Sequence, residues 1–279
     1  MTYRSLLVFL DRDPSCAARV RVAMRLAKDM DCHLVGIAPT GLVDFPMLPD
    51  GAPSLAEFAA LAQSTLHDQA EQATQNFRDA CRATGVASFD TVIDKSDKAP
   101  SLVRHAHCSD LTVLTQADPT APGHRFAQAL VEQVVLYSAR PTLILPHASS
   151  FSTVGSNAMV AWDDTREAAR ALSDSLPLLR LAKRVHVLSW RDVDADDKPL
   201  RRRLEALNQW LVRQGVSAKV HVETSAGRIA EEILARADHL DADLIVMGAY
   251  GHARWTERLL GGATRGVLRA MTVPVLMSH

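Results

Sequence analysis

Short apolar runs alternate with amphipathic stretches along the whole chain, and their spacing predicts strands separated by helices. In the later half, Ala158–Trp162 is an apolar run suited to a strand buried on both faces. Asp164 or Thr165 then caps a helix running through Leu179, with Ala168, Ala169, Leu172 and Leu176 on one face. Arg184–Ser189 follows as a strand. Arg201–Gln214 is a helix with Leu204, Leu207 and Leu211 aligned, closed by Gly215. Lys219–Glu223 is a third strand, and Gly227–Leu240 a helix with Ile229, Ile233, Leu234 and Ala237 inward. Leu244–Met247 is a strand, Gly262–Ala270 a helix and Pro274–Met277 the fifth strand. The earlier half follows suit, with strands near 5–10, 33–38, 89–93, 111–115 and 142–146. Strands separated by helices imply parallel sheets with right-handed crossovers.

The halves repeat one another. Leu7-Val8-Phe9-Leu10-Asp11 resembles Met159-Val160-Ala161-Trp162-Asp163 at an offset of 152. Asp110–Leu114 resembles Asp243–Met247, and Pro141–Leu145 resembles Pro274–Met277, both at an offset of 133. The first half therefore carries 19 extra residues between matching strands. Gly41–Ser64, with Pro46, Pro49, Gly51 and Pro53, is read as the loop that holds them. Two copies of one domain, 1–148 and 156–279, are expected, joined where Ser149, Ser150, Ser152, Gly155 and Ser156 cluster. The predicted fold is α/β: two tandem doubly wound, parallel, five-stranded sheets.

Charge narrows the function. The first 150 residues carry 13 basic and 16 acidic residues, the remainder 18 and 16, so neither half has a nucleic-acid binder's basic excess. No apolar run is long enough to cross a bilayer, and Met1–Asp13 does not read as an export signal, so neither a membrane nor a nucleic acid is an expected partner. Cys16, Cys32, Cys81 and Cys108 form no C-x-x-C pair and read as reduced, partly buried thiols, with the cytoplasm as the expected compartment.

The candidate chemistry lies after the fourth strand of the second copy. Met247-Gly248-Ala249-Tyr250-Gly251 leaves that strand, and Gly261-Gly262-Ala263-Thr264-Arg265, separated from Gly251 by nine residues, opens a helix. Glycines let main-chain N–H groups approach a ligand with no Cβ between. A helix N-terminus adds free donors and partial positive charge, which suits phosphate. Thr264 adds a hydroxyl and Arg265 a permanent cation. No lysine follows the second glycine pair, so this is not a P-loop. If the first and fourth strands are neighbours, Asp163 faces Gly248 across the crevice where a doubly wound sheet binds ligands.

Residues 242–276 resemble the universal stress protein family, whose nucleotide motif is G-x2-G-x9-G followed by Ser or Thr. Asp163 after the first strand and Gly227-Arg228-Ile229-Ala230-Glu231-Glu232-Ile233 before the fourth also look like that family. The resemblance covers both copies. It implies a Rossmann-like fold of the adenine nucleotide alpha hydrolase kind, with the two domains packed as a pseudo-twofold pair through their fifth strands, Thr142–Pro146 and Val275–Ser278. It also implies ATP, with or without Mg²⁺, as ligand. Asp163 would contact adenosine, Ser189 would touch adenine through its main chain, and Met247 and Gly248 would line the ribose and base side. Gly251, Gly261, Gly262 and Thr264 would hold the phosphates. Gly262 departs from the pattern, since Ser or Thr would stand there; a hydroxyl donor is lost while the backbone N–H remains.

At the offset of 133 the first copy has Thr115 for Gly248, Asp118 for Gly251, Gln128 for Gly261, Ala129 for Gly262 and Glu132 for Arg265. Side chains and negative charge would exclude phosphate there, and Asp11 is left with no site to serve. No nucleophile–base pair is evident, which favours a nucleotide-linked stress-response module over an efficient enzyme. Two alternatives stand. One is a slow Mg²⁺-dependent hydrolase or phosphotransferase in which Asp163 or Asp164 holds metal and His252 assists. The other is a redox-responsive interaction protein with no nucleotide. His105 and His107, two apart on a helix, do not converge on a metal. Arg254, Trp255 and Arg258 lie in the loop between the glycine pairs, Arg201–Arg203 read as a solvated helix face and Asp192–Asp197 as a polar loop. A homodimer is a further expected assembly.

Overall fold

The computed structural model describes residues 2–41, 55–148, 153–194, 196–251 and 262–279, with side chains described for all of these except 55–58. Contacts divide the chain into two compact units, Thr2–Arg140 and Pro141–His279. Within these residues the fold is the expected alternation of strands and helices around mostly parallel sheet.

In the unit Thr2–Arg140, strands β1 (Ser5–Phe9), β2 (His33–Pro39), β3 (Phe89–Asp94) and β4 (Leu111–Thr115) lie in the order β3-β2-β1-β4. Their pairings are parallel, with Leu7 opposite Val35 and Thr112. Helices α1 (Cys16–Met30), α2 (Leu55–Thr84), α3 (Lys98–Ala106) and α4 (His124–Tyr137) supply the crossovers. Leu6, Val8, Leu34, Ile37, Leu111 and Val113 are sealed inside, as expected for strands covered on both faces.

The unit Pro141–His279 begins with β5 (Thr142–Leu145) and continues with β6 (Asn157–Ala161), β7 (Arg184–Asp192), β8 (Lys219–Ser225), β9 (Leu244–Gly248) and β10 (Val275–Ser278). The order is β5-β10-β9-β6-β7-β8. All pairs are parallel except β5 with β10, which run antiparallel with Leu143 opposite Leu276. Helices α5 (Arg166–Leu179), α6 (Lys198–Arg213), α7 (Ile229–His239) and α8 (Gly262–Ala270) connect them. The strand read as the last of the first copy thus falls in the second compact unit, because its main chain ladders with β10.

Both units fix their first and fourth strands alike. The Asp110 carboxylate accepts the main-chain N–H groups of Arg4 and Ser5, and the Asp243 carboxylate accepts those of Ser156 and Asn157.

Three local expectations change. Residues 55–64 belong to α2 rather than to a loop, and α2 has 30 residues against 16 for α6. After Pro53 and Ser54 the sequence contains no further helix breaker until Gly85, whose φ of +70° follows the helix end. The prolines and Gly51 that suggested the loop lie at 46–53, outside the described residues. Ala169 is exposed, because the buried arc of α5 is set by Ala168, Ala171, Leu172, Ser175, Leu176 and Leu179 and position 169 falls beside it. Gly227 takes φ +92° and so stands outside α7, while α6 begins before Pro199, which a first helical turn tolerates.

Candidate functional site

The strand order of the Pro141–His279 unit reverses between β6 and β9, where neighbouring crossovers leave in opposite directions. A cavity of about 290 Å³ opens there, at the carboxyl ends of both strands. Trp162 and Asp163 just after β6, Met247 and Gly248 from β9, Trp190 from β7, and Ile229 and Ile233 from α7 form its walls. Tyr250, Gly251, Gly262, Ala263 and Thr264 close the other end. One end is mostly apolar and aromatic; the other offers main chain, hydroxyls and the start of α8.

The predicted residues divide into three groups. Asp163, Met247, Gly248, Gly251, Gly262 and Thr264 share the cavity. Ser189 is buried inside β7 opposite Val222 and does not line it; its neighbour Trp190 does. Arg265 is exposed on the first turn of α8 and is likewise not in the wall. Gly261, His252, Arg254, Trp255 and Arg258 lie outside the described residues.

Asp163 is oriented by its own loop. Its Oδ1 accepts the Thr165 hydroxyl at 2.6 Å and the Thr165 N–H at 3.2 Å. Thr165 in turn caps α5, its Oγ1 accepting the Ala168 N–H. Asp164 has φ +61° and its carboxylate meets Arg203 at 2.9 Å, so that oxygen is engaged by a guanidinium rather than directed to a metal. At the opposite end, Tyr250 has φ +55° and its N–H donates to Thr264 Oγ1, which ties the glycine turn to α8. Thr264 is 4% exposed and keeps its hydroxyl proton to donate elsewhere.

The two motif glycines do different work. A Cβ on Gly248 would lie 2.6 Å from Ala168 N and 2.7 Å from Glu167 C, so glycine there lets the start of α5 close on β9. At Gly251 the nearest atom to such a Cβ would be Glu167 Oε2 at 3.4 Å, an ordinary contact. Packing within the protein therefore requires glycine at 248 and leaves 251 free for another reason. Beneath both sits Glu167, 3% exposed and invisible to the motif search. Burial pushes its carboxyl up, but hydrogen bonds from Arg166 Nε and its own main chain, with charge from Arg166 and His279, hold it below the usual range. It is an ionised carboxylate under the glycine turn.

In the corresponding region of Thr2–Arg140 the space between Asp11 and Thr115 is taken by Arg19. Arg19, on the first turn of α1, is 2% exposed; Nε donates to Phe9 O at 2.8 Å, NH1 to Thr115 Oγ1 and NH2 to Asp11 Oδ1, each at 2.7 Å. Its guanidinium lies 5.1 Å from the Phe9 ring centre. Asp11 thus has a partner, contrary to the expectation that it serves nothing. Gln128 and Ala129 lie inside α4, which begins at His124, rather than at a free helix start. The cavity left around Arg19 is about 120 Å³.

Burial raises the Cys32 and Cys81 thiols to about 11, with Asp110 and Asp31 adding to the effect at Cys32, and burial also raises Cys16, so these are poor thiolates. His105 and His107 bond separate carbonyls, of Ser101 and Tyr137. No described helix is long and apolar enough to cross a membrane.

A doubly wound α/β unit with a half-apolar, half-polar cavity at its switch point is the architecture of a small-molecule-binding domain. The comparisons narrow that class: residues 156–279 match the Universal stress protein family model. The Universal stress protein Slr1230 of Synechocystis sp. (strain ATCC 27184 / PCC 6803 / Kazusa) is 27% identical over 172 residues, 60% of this chain. The match spans 57% of that relative's length. The crystal structure of a universal stress protein from Archaeoglobus fulgidus DSM 4304 aligns with a TM-score of 0.76 at 17% identity, over 98% of this chain and 95% of its own. A functionally unknown protein from Pseudomonas aeruginosa PAO1 aligns at 0.60 and 17%, over 99% and 92%. At these identities the structural likeness concerns the fold.

Proposed function

We propose that the Pro141–His279 unit binds ATP or a related adenine nucleotide, with or without Mg²⁺, and that the protein is a nucleotide-linked stress-response module of the cytoplasm rather than an efficient enzyme. The observation that carries this reading is the meeting of Asp163, Met247, Gly248, Gly251, Gly262 and Thr264 around one cavity at the switch point. The base and ribose suit the Trp162, Trp190, Ile229 and Ile233 end, with Asp163 accepting from ribose hydroxyls or the adenine amino group. Phosphates suit the Gly251 main chain and the start of α8, whose free N–H groups and partial charge favour anions. Bound nucleotide would supply a ligand-dependent surface near residues 249–265 that a protein partner reads.

The Thr2–Arg140 unit is read as a second copy that does not take nucleotide, because Arg19 occupies Asp11 and Thr115. The matching roles of Asp110 and Asp243 support the two-copy reading; domain limits of 1–148 and 156–279, pseudo-twofold pairing inside the chain and a homodimer as the further assembly complete the proposal.

Heat release of purified protein followed by ultraviolet absorbance and mass spectrometry tests the ligand. An adenine nucleotide retained by the wild type and lost from Gly251→Val is expected. No bound nucleotide, together with no calorimetric response to added ATP or adenosine, would reject the reading.

A further inference from the structure

The buried charges beneath the two sites have opposite sign. In Thr2–Arg140 the first turn of α1 buries Arg19; in Pro141–His279 the first turn of α5 buries Glu167. A helix N-terminus accounts for an acid in this turn, since carboxylates are favoured there. It does not account for where this carboxylate points. Glu167 Oε2 lies 3.4 Å from the position a Gly251 side chain would take, and its Cβ lies 2.9 Å from that of Gly248. The side chain is therefore wedged under the glycine turn, behind the polar end of the cavity rather than in its wall, and not out along the helix. Arg166 bonds its other oxygen, yet the Arg166 side chain is 75% exposed, so water screens the compensating cation far more than the buried anion.

We infer that Glu167 is the specificity-determining residue of this site, a fixed negative charge under Gly251 that makes the cavity discriminate against each added phosphate charge on its adenine ligand. This rests on the nucleotide reading above and deepens it. The donors of Gly251 and α8 attract an anion; Glu167 sets how much anionic charge they can hold. Adenosine brings no charge to that end, and the monophosphate brings about two negative charges, fewer than the triphosphate. An uncompensated triphosphate brings several negative charges against a carboxylate that burial leaves poorly screened. The discrimination is thus a property of ligand charge rather than of base shape, and it disappears when the carboxylate is made neutral.

The test uses the full chain in a chelating buffer free of divalent cations, with calorimetric titration of adenosine, AMP and ATP. In the wild type, ATP binds no more tightly than AMP. In Glu167→Gln the ATP affinity rises about tenfold while the adenosine affinity stays within twofold, which also shows that the variant is folded. Arg166→Gln, which removes the compensating cation and leaves the anion, shifts the same ratio the other way: ATP weakens severalfold and adenosine is unchanged. If adenosine binds and neither variant alters the ratio of ATP to adenosine affinity, the inference is wrong while the nucleotide site stands. If neither adenosine nor any nucleotide binds the wild type, both fall together.

Discussion

Arg19→Met offers a quantitative test of how Arg19 holds the space between Asp11 and Thr115. The guanidinium makes three hydrogen bonds, to Phe9 O, Thr115 Oγ1 and Asp11 Oδ1, and is 2% exposed. Methionine keeps most of the apolar stem and removes the charge. Breaking a buried ion pair by removing one partner costs about 3–5 kcal/mol, because the other charge is left uncompensated. The Asp11 side chain is 23% exposed, so water recovers part of that loss and the lower end, about 3 kcal/mol, is expected. The double change Asp11→Asn with Arg19→Met leaves no orphan charge, and replacing both partners is often close to neutral. It should therefore lie at least about 1.5 kcal/mol above the single variant. Urea unfolding followed by circular dichroism gives the energies, and amide exchange in β1 and β4 locates the loss. A single variant within about 1 kcal/mol of wild type, or a double variant as weak as the single one, would refute the reasoning.

Three further outcomes follow from the site. Gly248→Ala drives a Cβ into the α5 main chain and should destabilise the fold by about 1–3 kcal/mol, whereas Gly251→Ala should fold normally and weaken nucleotide binding; equal melting losses in the two variants would contradict this division. Thr165→Ala removes the α5 cap and the hydroxyl that braces Asp163, at a cost of about 1 kcal/mol, read by thermal denaturation, with weaker adenosine binding. His186 and His221 share a 3.1 Å hydrogen bond between β7 and β8. Burial lowers both pKa values; the partner ring, Lys219, Arg184 and Arg236 lower His186 further, and Arg236 and Lys219 outweigh Glu223 at His221. The unfolded chain therefore takes up protons first, and stability present above the ordinary histidine pKa of about 6.5 is lost as pH falls below it. Urea midpoints should drop on acidification through that range, and the drop should shrink in His186→Gln.

Much of this was legible in the chain. Most strand cores appeared as apolar runs, while β3 and β8 mix apolar and polar positions, and α8 begins and ends where the glycine pair and its periodicity indicate. The meeting of Asp163 with the glycine turn was expected only if the first and fourth strands were neighbours, and β6 does pair with β9. What stayed hidden depends on tertiary contact. Nothing local separates Arg19 from the exposed arginines of α1, because only the folded unit brings Asp11, Thr115 and Phe9 around it. Gly248 read as a ligand glycine, yet its constraint is the approach of α5, a segment 80 residues away in sequence. Glu167 belongs to no motif that would mark it in the sequence, and the Gly41–Ser64 composition concealed a helix start behind four turn-forming residues. Ser189 does not line the cavity, whereas Trp190, on the other face of β7, does.

The central claim is one nucleotide site per chain, built by Asp163 and the Gly248–Thr264 turn. Calorimetric titration of the full chain with ATP and Mg²⁺ tests it most directly. One site per chain is predicted, abolished by Gly251→Val and indifferent to Asp118→Gly. Two sites per chain, none, or a single site that survives Gly251→Val would contradict the account.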